Sequence, residues 1–361
     1  MNRIVLEKVE EKVLLYLIKN DDIAQIITCE DHDYPKSAIY VGRVNAIKAE
    51  LEAAFVNLSK DYSGFLPIDE WTHYLKCGEQ VVVQVTKNPI KSKPVTLSMK
   101  VEIPGKYCVV DSKEYEFNFS TKLNKEERQK IRDELQNLIT EFEYGGIIRT
   151  NAKFASFSEI YDELKKNHTL LKDIMDYGNS RSLYSCLYEP DASFINQIDE
   201  INEGDYDEIV TDDTELFEKL REKYDKKARL HDTKEISLSS LYRLNHFNEL
   251  ATNRKVNLKC GGFIIIDFTE AMCVIDVNSG KIDKKAKKED MINKVNEEAA
   301  AEIARQLILR NISGMILVDF INDKNTDLVH LMNEKLKNDP LKAKAVDVTK
   351  LGIVEITRKR S

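Results

Sequence analysis

Two aspartates interrupt apolar runs in the last third of the chain. In MCVIDVNSG, Asp276 breaks the run and Asn278 follows two residues later, so the period-two geometry of a strand places both side chains on one face. In GMILVDFIND, Asp319 interrupts a second apolar run in the same way. A carboxylate ending a buried strand is costly unless it is paired or meets a cation. Two of them on strands of one sheet could share Mg²⁺, a hard ion that takes carboxylate, amide oxygen and water. Mg²⁺ there could acidify a water and stabilise charge on a phosphate oxygen. By pattern alone the commoner fate of such aspartates is to cap neighbouring helices or open turns. The six histidines (His32, His73, His168, His231, His246, His330) are dispersed, and no Ser-His or Cys-His spacing suggests nucleophilic catalysis.

The elements that must position these residues are legible around them. GGFIIIDFTEAMCVIDVNSG reads as two buried strands about a turn. Ile292–Arg310 reads as an amphipathic helix with Val295, Ala299, Ile303 and Leu307 on one face, and SGMILVDFI as a further buried strand. Alternating strands and helix imply a helix-covered sheet. Upstream, residues 3–30 read as strands of a small sheet. From Ala38, short Val-rich strands with turns at Gly42, Lys60–Gly64 and Pro89–Pro94 predict a compact β-barrel. The spacing of Ile131, Leu135 and Leu138 predicts a helix over Lys122–Glu143. GGIIRTNA reads as a strand ending in a polar loop, Ser156–Tyr177 as a second helix, and Tyr206–Tyr224 as a strand–helix unit.

At 361 residues the chain exceeds one core and suits roughly two to four subdomains. The composition, 42% hydrophobic and 32% charged, is that of a globular protein with a highly charged surface. No apolar run reaches the ~18 residues of a membrane span. The charged N-terminal segment lacks the apolar core of a secretory signal. The six cysteines are scattered without a C-x-x-C pair, which predicts neither structural zinc nor a disulfide framework and points to a reduced, cytoplasmic setting. The net charge of −8 disfavours a polyanionic partner. A polyanion responds to local clusters of Lys and Arg, however, and part of the acidic excess lies in Asp199–Asp213.

GGFIIIDFTEAMCVIDVNSGK, followed by NEEAAAEIARQLILRNISGMILVDFI, resembles the catalytic core of the ribonuclease E/G family. EAAFVNLSKDYSGFLP resembles that family's OB-fold RNA-binding domain, GGIIRT its 5′-end sensor, and TKLGIVEITRKR the end of its large catalytic domain. Several long motifs in the correct order cover nearly the whole chain. The resemblance implies an α+β multi-subdomain architecture: an RNase-H-like subdomain from residues 1–37 and 184–255, interrupted by an OB-fold barrel at 38–98 and a 5′-sensor region at 99–183, then a DNase-I-like catalytic subdomain at 256–361. It implies an Mg-dependent endoribonuclease, with Mn²⁺ able to substitute, that hydrolyses single-stranded RNA to 5′-phosphate and 3′-hydroxyl ends in RNA processing or mRNA decay. Asp276 and Asp319 would be the metal ligands, and Asn278 would position a ligand or the attacking hydroxide. A non-cleaving RNA-binding adapter on the same platform is the alternative, and intact Asp276, Asn278 and Asp319 speak against it.

Phe55 and Phe65 match aromatics that grip RNA beside the scissile bond; burial in the barrel core is the competing reading. Lys87 and Lys93 match basic positions, and Lys91 between them suits either a phosphate track or a solvated loop. Arg149 and Thr150 match the pair that recognises a 5′-monophosphate, where a guanidinium can bind bidentately; a surface salt bridge is the ordinary fate of such an arginine. The sequence departs from the family in three places. It lacks the Cys-Pro-x-Cys zinc-link and the small domain after it, so a monomer or weak homodimer is expected in place of a zinc-linked tetramer. Val109–Leu123 is short, leaving part of the phosphate pocket unmatched. FIND stands where FIDM is commoner, with Asn322 in place of Asp.

Overall fold

The computed structural model describes the chain except for residues 69–71, 73, 90–92, 137, 233–234, 281–287, 322–326 and 360–361, and the side chains of 288–290. Lys91 and Asn322 therefore lie outside the described residues. The chain divides into two compact units, residues 1–28 with 206–361, and residues 29–205.

The first unit contains two sheets. Arg3–Val9 and Lys12–Lys19 form an antiparallel hairpin, and Asp22–Glu30 adds to it. Asn20 and Asp21, with φ of 52° and 61°, make the turn into the third strand, and left-handed backbone at both turn positions suits the strand twist. On the other edge of Arg3–Val9, Glu208–Thr211 and then Ala228–Leu230 pair in parallel. The helix Thr214–Tyr224 joins these two, with Asp213 as its N-cap and Leu216, Leu220 and Tyr224 buried at helical spacing.

The second sheet carries the two aspartates. Its strand order is Lys255–Asn257, Phe263–Phe268, Met272–Asn278, Gly314–Asp319, Ile353–Arg358, Lys344–Val348. Phe263–Phe268 and Met272–Asn278 are an antiparallel hairpin. The helix Lys288–Leu309 then crosses over, so that Gly314–Asp319 returns parallel to Met272–Asn278. This helix and Leu328–Leu336 supply Val295, Ala299, Ile303, Leu307 and Met332 to one core with Ile275, Val277, Ile316 and Val318 of the sheet. Beneath that core Arg358 and Asp339 form an ion pair at 2.7 Å, with side chains 0% and 1% exposed.

The second unit contains a closed five-stranded barrel of OB-like arrangement. Ile39–Lys48 pairs with Ala53–Asn57, then Ser63–Pro67, Thr96–Ser98 and Gln80–Lys87 follow, and Gln80–Lys87 closes back on Ile39–Lys48. All pairings are antiparallel except Ser63–Pro67 with Thr96–Ser98. The expected turn at Gly42 is absent. Gly42 is buried within Ile39–Lys48, where a Cβ would meet Val56 Cγ1 at 2.5 Å, so its lack of a side chain serves close packing of the barrel wall.

The same unit holds a four-stranded sheet, ordered Phe117–Phe119, Gly146–Ile148, Cys108–Asp111, Glu102–Pro104, packed with two helices. Phe157–Tyr177 begins with a capping box between Ser156 and Glu159. The other helix is shorter than expected, Lys125–Leu135 against Lys122–Glu143. Asn124 and Glu127 form a capping box that sets its start. Leu138 is exposed, while Ile139 and Phe142 pack on the core. Core packing after Leu135 thus overrides the helical spacing.

Candidate active site and nucleic-acid interface

Asp276 and Asp319 are register partners on the adjacent parallel strands Met272–Asn278 and Gly314–Asp319. Neighbouring strands lie about 4.8 Å apart, so the two carboxylates start from the same level of the sheet. Cys273, Ile275 and Val277 point into the core, as do Ile316 and Val318, and alternation turns Asp276, Asn278 and Asp319 to the opposite face. Both aspartates are exposed. This corrects the premise of a buried carboxylate: among the described residues the helices Lys288–Leu309 and Leu328–Leu336 pack on the opposite face of the sheet, and no desolvation cost demands a counter-ion. Register alone pairs the two groups.

Asn278 lies on that face beside Asp276. Its Nδ2 donates to Asp276 Oδ2 at 2.7 Å, which orients that carboxylate and leaves Asn278 Oδ1 as a further oxygen acceptor. Among the described residues no cluster of three or more His, Cys, Asp and Glu is placed to hold a metal. Two carboxylates and an amide oxygen nonetheless fit a hard cation that retains waters and takes its remaining ligands from substrate phosphates, as Mg²⁺ and Mn²⁺ do.

One positioning residue was not singled out in the sequence. Asn296, fully buried on the crossover helix, donates to Ile321 O at 2.8 Å and accepts from Ile321 N at 3.2 Å. It fixes the backbone two residues beyond Asp319. Its signal was a polar residue beside Val295 on the apolar stripe.

On the barrel, Phe55 and Phe65 are register partners and meet edge to face, with centroids 6.0 Å apart at 78°. Ala54, Val56 and Leu66 belong to the barrel core, whereas Phe55 and Phe65 are only half-buried. The alternation of the strands turns the two rings outward. The register continues from Phe65 to Thr96 and from Thr96 to Lys87, so Phe55, Phe65, Thr96 and Lys87 form one row across four strands. Lys87 and Lys93 are exposed. Two rings followed by a cation is an arrangement that can stack bases and meet phosphate.

Arg149 leaves the strand Gly146–Ile148, and Thr150 opens the short helix Thr150–Phe154. Arg149 Nη1 donates to Gly105 O at 2.7 Å, and Nη2 donates to Asp199 O at 3.4 Å and pairs with Glu200 Oε1 at 2.9 Å. Thr150 Oγ1 lies 2.9 Å from Ser120 Oγ, placing a second hydroxyl beside it. The loop under Arg149 is held by Glu163, whose carboxylate accepts from the backbone N–H of Lys106, Tyr107 and Cys108 at 3.0, 2.8 and 2.9 Å. A Cβ at Gly105 would stand 2.3 Å from Glu163 Oε1, so only glycine admits that carboxylate. Burial, reinforced by Glu163, pushes the Cys108 thiol well above its usual range. No sequence signal marks the Glu163 grip, because its partners are backbone amides more than fifty residues away.

The catalytic candidates thus gather on one sheet in the first unit, while the aromatic row and the Arg149 cluster lie in the second. The described residues include no helix long and apolar enough to cross a membrane.

A family model, the ribonuclease E/G family, matches residues 102–361. Ribonuclease E of Synechocystis sp. is 31% identical over 349 residues, which cover 89% of this chain and 52% of that protein. Ribonuclease G of Escherichia coli (strain K12) is 29% identical over 356 residues, covering 90% of this chain and 72% of that protein. Ribonuclease E of Nostoc sp. is 29% identical over 378 residues, covering 97% and 55%. The chain spans about half the length of these two ribonucleases E.

Proposed function

Because the chain belongs to the ribonuclease E/G family, we propose that it is an Mg²⁺-dependent endoribonuclease hydrolysing single-stranded RNA to 5′-phosphate and 3′-hydroxyl products, in RNA processing or mRNA decay. The observation that carries this reading is the register of Asp276 with Asp319 on parallel strands, with Asn278 bonded to Asp276 at 2.7 Å. Asp276 and Asp319 would hold Mg²⁺, or Mn²⁺ in its place. When bound, the metal would acidify a water and neutralise charge on the scissile phosphate. Asn278 fixes the Asp276 carboxylate and offers Oδ1 to orient a ligand or the attacking water. Hydrolysis by an in-line water needs no protein nucleophile.

Phe55 and Phe65 would stack on bases of the single strand, with Lys87 and Lys93 following its backbone. Arg149 and Thr150 would read a 5′-monophosphate. The sheet that joins the N-terminal hairpin to the parallel strands Glu208–Thr211 and Ala228–Leu230 supports an RNase-H-like subdomain, to which we assign residues 1–37 and 184–255. We assign 38–98 to the OB-fold domain, 99–183 to the sensor and 256–361 to a DNase-I-like catalytic subdomain. A cytoplasmic monomer or weak homodimer completes the reading.

The test incubates the purified protein with a 5′-monophosphorylated, fluorescent AU-rich oligonucleotide, with and without Mg²⁺. Cleavage should require the metal and disappear in Asp276→Asn while RNA binding persists. Near wild-type turnover in Asp276→Asn would remove the proposed metal site, and binding without cleavage by the wild type would favour an RNA-binding adapter.

A further inference from the structure

We propose that Glu200 tempers the discrimination of the 5′ end, by occupying an edge of Arg149 that a terminal phosphate must take from it. This rests on the reading of Arg149 as the residue that recognises a 5′-monophosphate.

Arg149 is 17% exposed and anchored from below. Its Nη1 is fixed to Gly105 O at 2.7 Å, and the loop carrying Gly105 is itself fixed by Glu163. These carbonyls position the guanidinium without neutralising it. The charge partner is Glu200, whose Oε1 lies 2.9 Å from Nη2 although its side chain is 68% exposed. A carboxylate and a phosphate present the same acceptor geometry to a guanidinium. Glu200 therefore occupies an edge of Arg149 that a terminal phosphate would use.

The position of Glu200 has no explanation in its own helix. It is the last residue of Ser193–Glu200, and a carboxylate at a helix C-terminus is disfavoured by the helix dipole. The backbone on both sides of it is clamped. Asn151, itself buried, donates to Asp199 O and to Ile201 O, each at 3.1 Å, and accepts from Glu203 N at 2.9 Å. The main chain is thus held against Arg149, while the exposed side chain can swing into solvent without disturbing it. A 5′-monophosphate, carrying more charge than one carboxylate, displaces Glu200. A 5′-hydroxyl does not, and leaves Arg149 closed. Glu200 is in these terms a positioning and specificity residue and takes no part in bond cleavage.

The experiment is fluorescence anisotropy in EDTA, where hydrolysis does not run. Two versions of one AU-rich oligonucleotide, 5′-monophosphorylated and 5′-hydroxyl, are titrated with wild type, Arg149→Ala, Glu200→Gln and Glu200→Ala. The readout is the ratio of the hydroxyl Kd to the monophosphate Kd. Removing the competing carboxylate should raise this ratio about two- to fivefold in both Glu200 variants, the range of a largely exposed ion pair. An unchanged or smaller ratio in both, with Arg149→Ala reducing the ratio to one, overturns the role of Glu200 and leaves the 5′-end reading standing. Equal tightening of both oligonucleotides marks a general charge effect and also overturns it. A wild-type ratio of one that Arg149→Ala does not alter removes the 5′-end reading itself, and this inference with it.

Discussion

Replacing Phe65 by alanine separates two fates that the sequence left open for this ring. Phe65 is half-buried and turned away from a barrel core made by Ala54, Val56, Leu66, Val83 and Leu97. A fully buried Phe→Ala change costs about 3–5 kcal/mol in stability. Here only part of the ring leaves water, and its edge-to-face contact with Phe55 contributes about 0.5–1.5 kcal/mol. A stability loss of roughly 1–2 kcal/mol is therefore expected from ring contact and partial burial together. The loss of one base stack is about 1–3 kcal/mol in binding, which corresponds to roughly a 5- to 150-fold rise in Kd. Binding should thus suffer at least as much as folding. The assay pairs anisotropy on a single-stranded oligonucleotide in EDTA, at a temperature where the variant is fully folded, with urea denaturation of the same preparation. A Kd within twofold of wild type, together with a stability loss above about 3 kcal/mol, would refute the reasoning and return Phe65 to the core.

Arg149→Ala should reduce the rate advantage of 5′-monophosphate over 5′-hydroxyl RNA in single-turnover cleavage; equal losses on both substrates would mark a folding role through Gly105 and Asp199. Asp339→Ala should destabilise the sheet that carries Asp276 and Asp319 by about 3–5 kcal/mol in denaturant melts, because it leaves the buried Arg358 guanidinium without its counter-charge; a loss under about 1 kcal/mol, the scale of an exposed pair, would contradict that. His168 should make stability pH-dependent. Its Nε2 accepts from Glu143 N at 2.9 Å, and burial, with Lys172 nearby, lowers its pKa. The unfolded chain then binds the proton first as pH falls, so stability is complete above the unfolded value of about 6.5 and declines below it. Thermal melts between neutral and mildly acidic pH should show a smaller decline in His168→Gln, and an identical decline in both proteins would exclude His168 as the source.

The local elements were legible where one rule decides them. The aspartates, the strands that carry them and the crossover helix stood out because an apolar run broken by a single charge, or repeated at helical spacing, has few other solutions. The sequence also gave Asp276 and Asn278 a common face, since both lie on one strand. It could not bring Asp319 level with Asp276, because register between strands forty residues apart depends on how the crossover helix packs between them. It put the carboxylates in a buried setting, whereas the helices Lys288–Leu309 and Leu328–Leu336 pack on the other face of the sheet. The helix proposed over Lys122–Glu143 stops at Leu135, because Ile139 and Phe142 gain more by turning onto the core than by continuing the spacing. Gly42 read as a turn, whereas it lies inside a barrel strand and packs closely against Val56 of the neighbouring strand. Asn296, Glu163 and Glu200 act on partners remote in sequence, through hydrogen bonds and charge that carry no periodicity. The sequence by itself therefore determined the strands and the crossover helix around the two aspartates, and the family, since these follow from local pattern and ordered motifs. Only the tertiary structure decided which groups face one another, because register, burial and the partner of each charge are properties of the packed chain.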